Sequence, residues 1–336
     1  MPVIDSEFRP AWWLRQAHLQ TLWPSLSRRN VALSTQRERV ELPDGDFIDL
    51  DWSGPAAAPI VLILHGLEGG IDSRYARGLM QQLNQAGFRA CLMHFRGCSG
   101  EPNRLPIAYH SGKTEDPAMI VEHLIQRHEQ PFGALGVSLG GNVLLKWLGE
   151  MGDDSPFQRA AAMSVPFVLN DAARRLRHGL SRIYERYLIS SLKRSFRGKF
   201  ARMPCPIEVD VGSLKTFHQF DDKVTAALHG FDGVEDYYAR CSSRQFIPSI
   251  RTPTLILHAR DDPFMFADTA PEAHELPEQV CLELTDHGGH VGFIAGDWPG
   301  RSVYWGERRL VQWLTADDQA SRRAKSGSQP QPQRGG

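Results

Sequence analysis

A serine flanked by two glycines is the first feature of this sequence that could perform covalent chemistry. Residues 135–142 read LGVSLGGN and place Gly136, Ser138 and Gly140 in the pattern G-x-S-x-G. A serine at a sharp turn from a strand into a helix is held in a strained conformation that projects its hydroxyl above the sheet. The glycines allow close approach of the chain, and the helix aims its first amides at the serine. The pattern alone is common, but its position between an apolar strand and a helix predicts a nucleophile.

A serine nucleophile needs a base to take its proton and an acid to orient that base. Two aspartates, Asp261 and Asp262, follow the apolar run at 254–259, and two histidines, His287 and His290, follow the next apolar run. A lone aspartate or histidine in a loop is usually a solvated surface residue, but the order serine, acid, histidine accompanies nucleophile turns of this kind. We expect Asp262 to be the acid because it occupies the usual turn after the strand. We expect His290 to be the base because the VGF that follows it can anchor its loop by packing, and Asp261 and His287 remain the alternatives.

Two backbone N–H groups are needed to stabilise the oxyanion that forms during acyl transfer. Leu139 follows the serine directly, and its N–H is one predicted donor. The stretch LILHGLEGG at 62–70 runs from a strand into a glycine-rich turn, where the N–H of Leu67 is the other predicted donor. A glycine-rich turn can also bind a phosphate, but neither G-x-G-x-x-G nor G-x-x-x-x-G-K-[ST] occurs, so a nucleotide cofactor is disfavoured.

These residues lie at the ends of short apolar runs that alternate with helical patterns. The runs do not alternate polar with apolar residues, so they are typical of strands buried on both faces. Helical patterns at 74–87 and 116–130 separate them, and strands alternating with helices predict an α/β fold with a mostly parallel sheet and helices on both faces. The runs occupy 60–64, 89–95, 134–137, 160–165, 254–259 and 280–284.

The composition is that of an ordinary globular protein. The 336 residues are 41% hydrophobic and 23% charged, and the net charge of −1 disfavours a nucleic-acid partner. Five cysteines, without a C-x-x-C pair, argue for a reducing compartment and against a disulfide scaffold or a zinc ribbon. Neither a signal peptide nor a run long enough to span a bilayer is evident, so a cytoplasmic location is expected.

Several longer stretches carry a family resemblance. They are HLQTLWP (18–24), HGLEGG (65–70), HFRGCSGEPNR (94–104), YHSGKTED (109–116), GVSLGGN (136–142), FDDKVTAALHGF (220–231), DYY (236–238), HARDDPF (258–264) and HGGHVGF (287–293). With them the chain, over about residues 8 to 315, resembles the α/β-hydrolase superfamily and, within it, the YheT-like (AB hydrolase 4) family of serine esterases.

The resemblance implies an α/β-hydrolase fold, and its catalytic triad carries over as Ser138, Asp262 and His290. It implies hydrolysis of carboxylic esters, with a small-molecule substrate of acyl or lipid-like kind, without a metal or an organic cofactor. Acyl transfer or thioester hydrolysis by the same triad is the main alternative. A non-catalytic binding module on the same fold is the alternative from another class. Cys98, in the RGCSGE loop, is expected to be a packing residue.

The chain divides into four expected regions. Residues 1–30 form an N-terminal arm packed on the core, and residues 31–169 with 250–316 form the hydrolase core. Residues 170–249 form a helical cap insertion because helical patterns dominate there. Residues 317–336 are of low complexity and are expected to be disordered. The sequence does not indicate an oligomeric state.

The expected cap carries a strongly basic segment. Residues 172–203 contain ten arginines and lysines but a single acid, Glu185. Apolar residues recur at helical spacing and predict an apolar face: Leu176, Leu180, Ile183 and Tyr187, continued by Leu192 and Phe196. A basic cap can meet an anionic lipid surface, but a cap packed on the core with its charges in solvent is the favoured interpretation, so peripheral membrane contact is expected less.

Overall fold

The computed structural model describes residues 3–28 and 31–316 of the chain. Within those ranges eleven strands occur, nine of them in one sheet. They are β1 (Val3–Asp5), β2 (Gln36–Glu41), β3 (Phe47–Ser53), β4 (Ile60–Leu64), β5 (Arg89–Met93), β6 (Gly133–Val137), β7 (Arg159–Met163), β8 (Thr254–Ala259), β9 (Val280–Thr285), β10 (Ile294–Ala295) and β11 (Val303–Tyr304). The large sheet has the order β1-β9-β8-β7-β6-β4-β5-β3-β2, and β10 pairs with β11 alone.

The large sheet is parallel except at one edge. Seven strands run parallel to one another, namely β5, β4, β6, β7, β8, β9 and β1, whereas β3 runs antiparallel to both β5 and β2. All six strands expected from apolar runs are present, and the predicted mostly parallel α/β sheet is confirmed. The apolar runs of the sequence do not indicate β1, β2 or β3.

The antiparallel edge escaped prediction because its buried strand contains acids. Every residue of β3 is buried, including Asp49 and Asp51. Arg39 donates two hydrogen bonds to Asp49 from the neighbouring strand, at 2.8 and 2.9 Å. Burial alone would raise the pKa of Asp51, but hydrogen bonds from His94 and Arg37 lower it to about 2. Paired charges thus replace the apolar run that marks the central strands.

Helices cover both faces of the sheet. In the described ranges they are α1 (Ala17–Ser27), α2 (Arg74–Gln85), α3 (Glu115–Gln126), α4 (Leu139–Met151), α5 (Leu169–Leu176), α6 (Ser181–Phe200), α7 (Phe217–Phe220), α8 (Ala227–His229), α9 (Val234–Cys241) and α10 (Trp305–Leu314). Helices α3 and α4 contribute buried side chains to the core on one face. Helices α2 and α10 contribute to the core on the other.

Five helices, α5 to α9, lie between β7 and β8, in the region expected to form the cap. They hold two small apolar clusters of their own. Leu180, Ile183 and Tyr187 share one side at the start of α6, as their helical spacing predicts, but that side faces outward, and the three residues are 58%, 60% and 72% exposed. Glu185 and Ile189 of the same helix are buried instead, because the helix turns another side towards the rest of the protein.

Residues that precede α1 pack against the rest of the protein, with Ala11 and Leu14 beside Ile294 of β10. Phe8, Ala11 and Leu14 are buried, and Arg28 at the end of α1 forms a buried ion pair with Glu307 of α10. Among the described residues, no helix combines the length and the apolar character that crossing a bilayer requires. The expected disordered tail at 317–336 lies outside the described residues.

Candidate active site

Ser138 occupies the sharp turn between β6 and α4. Its φ of 53° and ψ of −120° are a conformation that side-chain-bearing residues rarely adopt. A Cβ on Gly136 would lie 2.6 Å from the carbonyl oxygen of Gly140, and one on Gly140 would lie 2.2 Å from that of Leu64. Both flanking positions therefore need glycine, because the chain crosses itself closely here.

The structure brings Ser138, His290 and Asp262 together. The Nε2 atom of His290 lies 2.9 Å from the Ser138 hydroxyl oxygen, and its Nδ1 atom lies 2.9 Å from Oδ2 of Asp262. The side chains of His290 and Asp262 are only 9% and 1% exposed. Because a carboxylate only accepts hydrogen bonds, Nδ1 carries the proton and Nε2 is free to accept one from the serine. The three groups thus form a continuous hydrogen-bonded chain.

Asp261 and His287, the alternatives to Asp262 and His290, pair with each other instead. Oδ2 of Asp261 lies 3.3 Å from Nδ1 of His287, while its Oδ1 accepts a hydrogen bond from the Gly289 N–H at 2.9 Å. This second acid–imidazole pair supports the loop that carries His290.

Three residues outside the predicted set hold His290 in place. The backbone N–H of His290 donates to the hydroxyl of Thr21 in α1 at 2.9 Å, and the next N–H donates to the hydroxyl of Ser164, also at 2.9 Å. Phe264 stacks on the imidazole, with 3.9 Å between ring centres and 3° between planes. Thr21 and Phe264 lie within the stretches HLQTLWP and HARDDPF, but nothing in their spacing indicates a contact with the histidine.

The backbone N–H groups of Leu67 and Leu139 differ from their neighbours in having no hydrogen-bond acceptor within the described residues. The flanking amides around Leu67 are engaged, since Gly66 donates to the hydroxyl of Tyr75 at 2.7 Å and Glu68 donates to that of Tyr109 at 2.8 Å. Within the described ranges, the N–H groups of Leu67 and Leu139 donate to no other group of the protein. Both residues line the same cavity as Ser138, so their amides are available to a substrate oxygen.

The carboxylate of Glu68 ties the loop of Leu67 to helix α6. It accepts hydrogen bonds from Tyr109 at 3.0 Å, from Ser191 at 3.2 Å and from Ser195 at 2.5 Å. Ser191 and Ser195 belong to α6, so these hydrogen bonds connect the loop to that helix. Sequence reasoning did not assign Glu68 a role, although its φ of 53° is a strained conformation at the same turn.

His65 anchors the other end of that loop. Its Nε2 atom accepts a hydrogen bond from the Phe95 N–H at 3.1 Å, so its Nδ1 donates to the Gly66 carbonyl at 2.7 Å. Burial lowers the pKa of His65 to about 3. The ring is therefore neutral, and both of its nitrogens form hydrogen bonds with the backbone, so it supports the loop and is not a second base.

A cavity of about 330 Å³ adjoins Ser138 and His290. Its walls are mostly apolar, and many of them come from the helices between β7 and β8: Leu169, Leu176, Leu188, Leu192, Phe196, Phe217, Phe220 and Val224. Among its polar residues, Asp221 accepts hydrogen bonds from Tyr238 and Thr225, both at 2.8 Å. Burial raises the pKa of Asp221 to about 6. Such a wall favours an uncharged, chain-like ligand.

Other reactive groups near the serine are not arranged for catalysis. Burial raises the pKa of the Cys98 thiol well above its usual value, so the nucleophilic thiolate is disfavoured. Among the described residues, no group of three or more histidine, cysteine, aspartate or glutamate side chains is placed to hold a metal ion.

The chain is similar in sequence and in fold to known proteins. A family model described as alpha/beta hydrolase fold matches residues 59–297. The chain is 43% identical over 319 residues to "Putative esterase YheT" of Escherichia coli K12, which covers 93% of this chain and 94% of that protein. It is 30% identical over 328 residues to phospholipase ABHD3 of Bos taurus, with 94% and 80% covered. The crystal structure of the Pyrococcus furiosus esterase Pf2001 shares the fold, with a TM-score of 0.53 and 17% identity over 85% of this chain and 93% of that one.

Proposed function

The chain belongs to the α/β hydrolase fold family, as an esterase- or lipase-like hydrolase, and on that premise we propose that it cleaves carboxylic esters through an acyl-enzyme on Ser138. The hydrogen-bonded chain from Ser138 through His290 to Asp262, with both distances at 2.9 Å, carries the proposal. Those distances are within the range that proton transfer needs. A serine, a base and an orienting acid in this arrangement perform nucleophilic acyl transfer on several unrelated folds.

In the acylation step, the Ser138 oxygen attacks the ester carbonyl while Nε2 of His290 takes the hydroxyl proton. The imidazolium that forms donates from Nδ1 to Asp262, whose buried carboxylate stabilises the positive charge. The stacked ring of Phe264 keeps the imidazole in the plane of both partners. His290 then gives its proton to the leaving alcohol, so the acid–base cycle returns to its starting state.

We propose that the N–H groups of Leu67 and Leu139 stabilise the oxyanion. The helix that begins at Leu139 adds the positive end of its dipole at the same point. In the second half of the reaction, water loses a proton to His290 and attacks the acyl-enzyme, which releases the acid and restores Ser138. The same two amides stabilise the second oxyanion, since the carbonyl carbon has not moved.

The apolar cavity supports an ester with an acyl or lipid-like chain as the substrate. Most of the wall surface is apolar and can contact such a chain. A phospholipase is among the relatives, which agrees with a substrate of this kind. The test is a series of p-nitrophenyl esters of increasing acyl length. We expect kcat/KM to rise with chain length until the cavity is full, and a preference for acetate throughout would contradict the assignment.

Labelling by a fluorophosphonate probe tests the nucleophile. The native chain should be labelled, and Ser138→Ala should lose both labelling and esterase activity. Ser111 lines the same cavity, so Ser111→Ala is a matched control that should be labelled like the native chain. Equal labelling of native protein and Ser138→Ala would show that the nucleophile is elsewhere.

Acyl transfer and thioester hydrolysis use the same acyl-enzyme and differ only in acceptor or leaving group. Product analysis in the presence of ethanol separates transfer from hydrolysis, because transfer yields an ethyl ester in place of free acid. A chain that lacks both labelling and turnover would instead be a binding module.

The proposal includes the arrangement of the chain. We propose that residues 170–249 act as a cap over a core of 31–169 and 250–316, with 1–30 as an arm, because the helices between β7 and β8 line the cavity. We also propose a cytoplasmic location, which the five free cysteines support.

A further inference from the structure

Helix α6 exposes apolar side chains where it faces away from the protein. Leu180, immediately before the helix, and Ile183 and Tyr187 within it are 58%, 60% and 72% exposed. Residues three and four positions apart share one side of a helix, so the three side chains form a continuous outward stripe. The opposite side, with Ser181 and Ile189, is buried. Exposed apolar residues are ordinary when single, but a contiguous group indicates a binding surface.

Helix α1 extends this stripe. Leu19, Leu22 and Leu26 are 47%, 41% and 75% exposed. The two helices touch at His18 and Tyr184, whose Nδ1 and hydroxyl oxygen are 3.0 Å apart and whose rings stack. Leu19 and Leu22 therefore lie within one helical turn of this contact, and Leu26 lies one turn farther along α1. We call the two stripes together the α1–α6 surface.

Arginines border the α1–α6 surface on the side of α6. Arg177, Arg182 and Arg186 are exposed. In the described part of the chain none of the three forms an ion pair with a carboxylate. Glu185, the only acid in α6, is buried and accepts a hydrogen bond from the Phe217 N–H at 3.2 Å. The surface therefore combines apolar side chains with a flank of exposed arginines, of which Arg177 and Arg182 interact at longer range with the carboxylate of Glu185.

We propose that the α1–α6 surface binds the face of an anionic phospholipid bilayer. Apolar side chains on an amphipathic helix enter the boundary between headgroups and acyl chains, while arginines on its flank meet the lipid phosphates. A second copy of the chain fits this surface poorly. A two-fold symmetric contact uses the same patch on both copies, so two patches bordered by arginines would face each other and their positive charges would repel.

The α1–α6 surface lies beside the proposed catalytic residues. Tyr184, at the contact of the two helices, packs on Phe264 with 5.0 Å between ring centres, and Phe264 stacks on His290. Thr21 of α1 accepts a hydrogen bond from the His290 N–H. Docking through this surface would place the site next to the bilayer, where lipid-like esters are concentrated. The binding itself does not depend on the proposed activity.

Co-flotation with vesicles tests the proposal. The full chain carrying Ser138→Ala, which leaves the lipid intact, is mixed with vesicles of phosphatidylcholine alone or with phosphatidylglycerol added. We expect binding to the anionic vesicles and a marked loss at high salt, because salt screens the arginines. Arg182→Gln with Arg186→Gln should weaken binding by about fivefold for each arginine. Ile183→Ser with Tyr187→Ser should weaken it by about tenfold or more.

Matched controls remove the same chemistry from other elements. Ile125→Ser changes an exposed residue of α3, and Arg251→Gln with Arg308→Gln removes two exposed charges elsewhere; both should bind like the parent. Thermal unfolding checks that every variant is folded. Absent binding, equal binding to neutral vesicles, or surface variants that bind like the parent would overturn the proposal. A change of oligomeric state in sedimentation without a change in vesicle binding would assign the surface to a second copy instead.

Discussion

Replacing Asp262 by asparagine should abolish most of the activity while leaving the fold intact. Oδ1 of Asp262 accepts a hydrogen bond from the Phe264 N–H at 2.8 Å, so the asparagine carbonyl oxygen should take that place. The amide NH₂ then faces Nδ1 of His290. Because the NH₂ group is a donor, Nδ1 must become an acceptor, and the ring proton moves to Nε2. In that tautomer His290 has no lone pair for the proton of Ser138.

The size of the loss follows from the burial of the pair. The carboxylate and the imidazole are 1% and 9% exposed, so water cannot restore the lost contact. A triad with the wrong histidine tautomer loses about four orders of magnitude in kcat. That loss corresponds to about 5.5 kcal/mol of transition-state stabilisation. The KM should change little, because Asp262 does not line the cavity.

The assay is the steady-state hydrolysis of a p-nitrophenyl ester, and the neighbouring residue supplies a matched control. Asp261→Asn makes the same chemical change one position away, at a residue that contacts His287 and the Gly289 N–H. We expect it to lower kcat by no more than about tenfold, because His290 keeps its partner. Thermal unfolding of both variants shows whether a loss comes from the site or from instability.

Two results would refute this reasoning. If Asp262→Asn kept kcat within about tenfold of the native value, the carboxylate would not set the tautomer of His290. If Asp261→Asn lost as much activity as Asp262→Asn, the acid of the proposed mechanism would be misassigned.

Three further changes probe the turn, the loop and the cavity. Glu68→Gln should lower kcat by about tenfold with little change in KM, because it weakens the charge-assisted hydrogen bonds between the Leu67 loop and α6. A rise in KM alone would contradict a role of Glu68 in positioning that loop. Gly140→Ala should lower the free energy of unfolding by several kcal/mol, because the new Cβ would clash with backbone atoms. Gly198→Ala is the control: its Cβ would meet nothing within 4 Å, so it should raise the free energy of unfolding by up to about 1 kcal/mol. Urea denaturation measures both. Burial raises the pKa of Asp221 from its usual 3.8 to about 6. Between those values the folded chain binds more protons than the unfolded chain, so the contribution of Asp221 to stability falls as pH rises through that window. Asp221→Asn removes this loss, and its stability relative to the native chain should grow by up to about 3 kcal/mol between pH ~4 and ~7; an unchanged difference would contradict it.

The sequence predicted the central strands well because each is buried on both faces and must be apolar throughout. It failed at the antiparallel edge, where Arg39 and Arg37 neutralise the buried acids of β3. Strand prediction from apolar runs has no signal for a charge whose partner lies on another strand. The strand at the other edge, β1, is three residues long and depends on its parallel pairing with β9.

The face of α6 shows a different limit. Helical spacing correctly placed Leu180, Ile183 and Tyr187 on one side, but periodicity does not say which side meets the core. The buried side holds Glu185, whose carboxylate finds a backbone donor in Phe217. Apolar side chains are usually buried and polar ones exposed, but here a hydrogen-bonded carboxylate is buried and apolar side chains are exposed. Only tertiary contacts decide which side of the helix faces the core.

The amino-acid sequence by itself determined the layered α/β architecture and the kinds of residue that meet at the carboxyl end of the sheet, because local periodicity and turn chemistry are written in neighbouring residues. Tertiary structure alone decided which aspartate and which histidine face Ser138, and it alone brought Thr21, Phe264 and Glu68 to the site. Those contacts join segments far apart in the chain, and their distances depend on how the whole molecule packs.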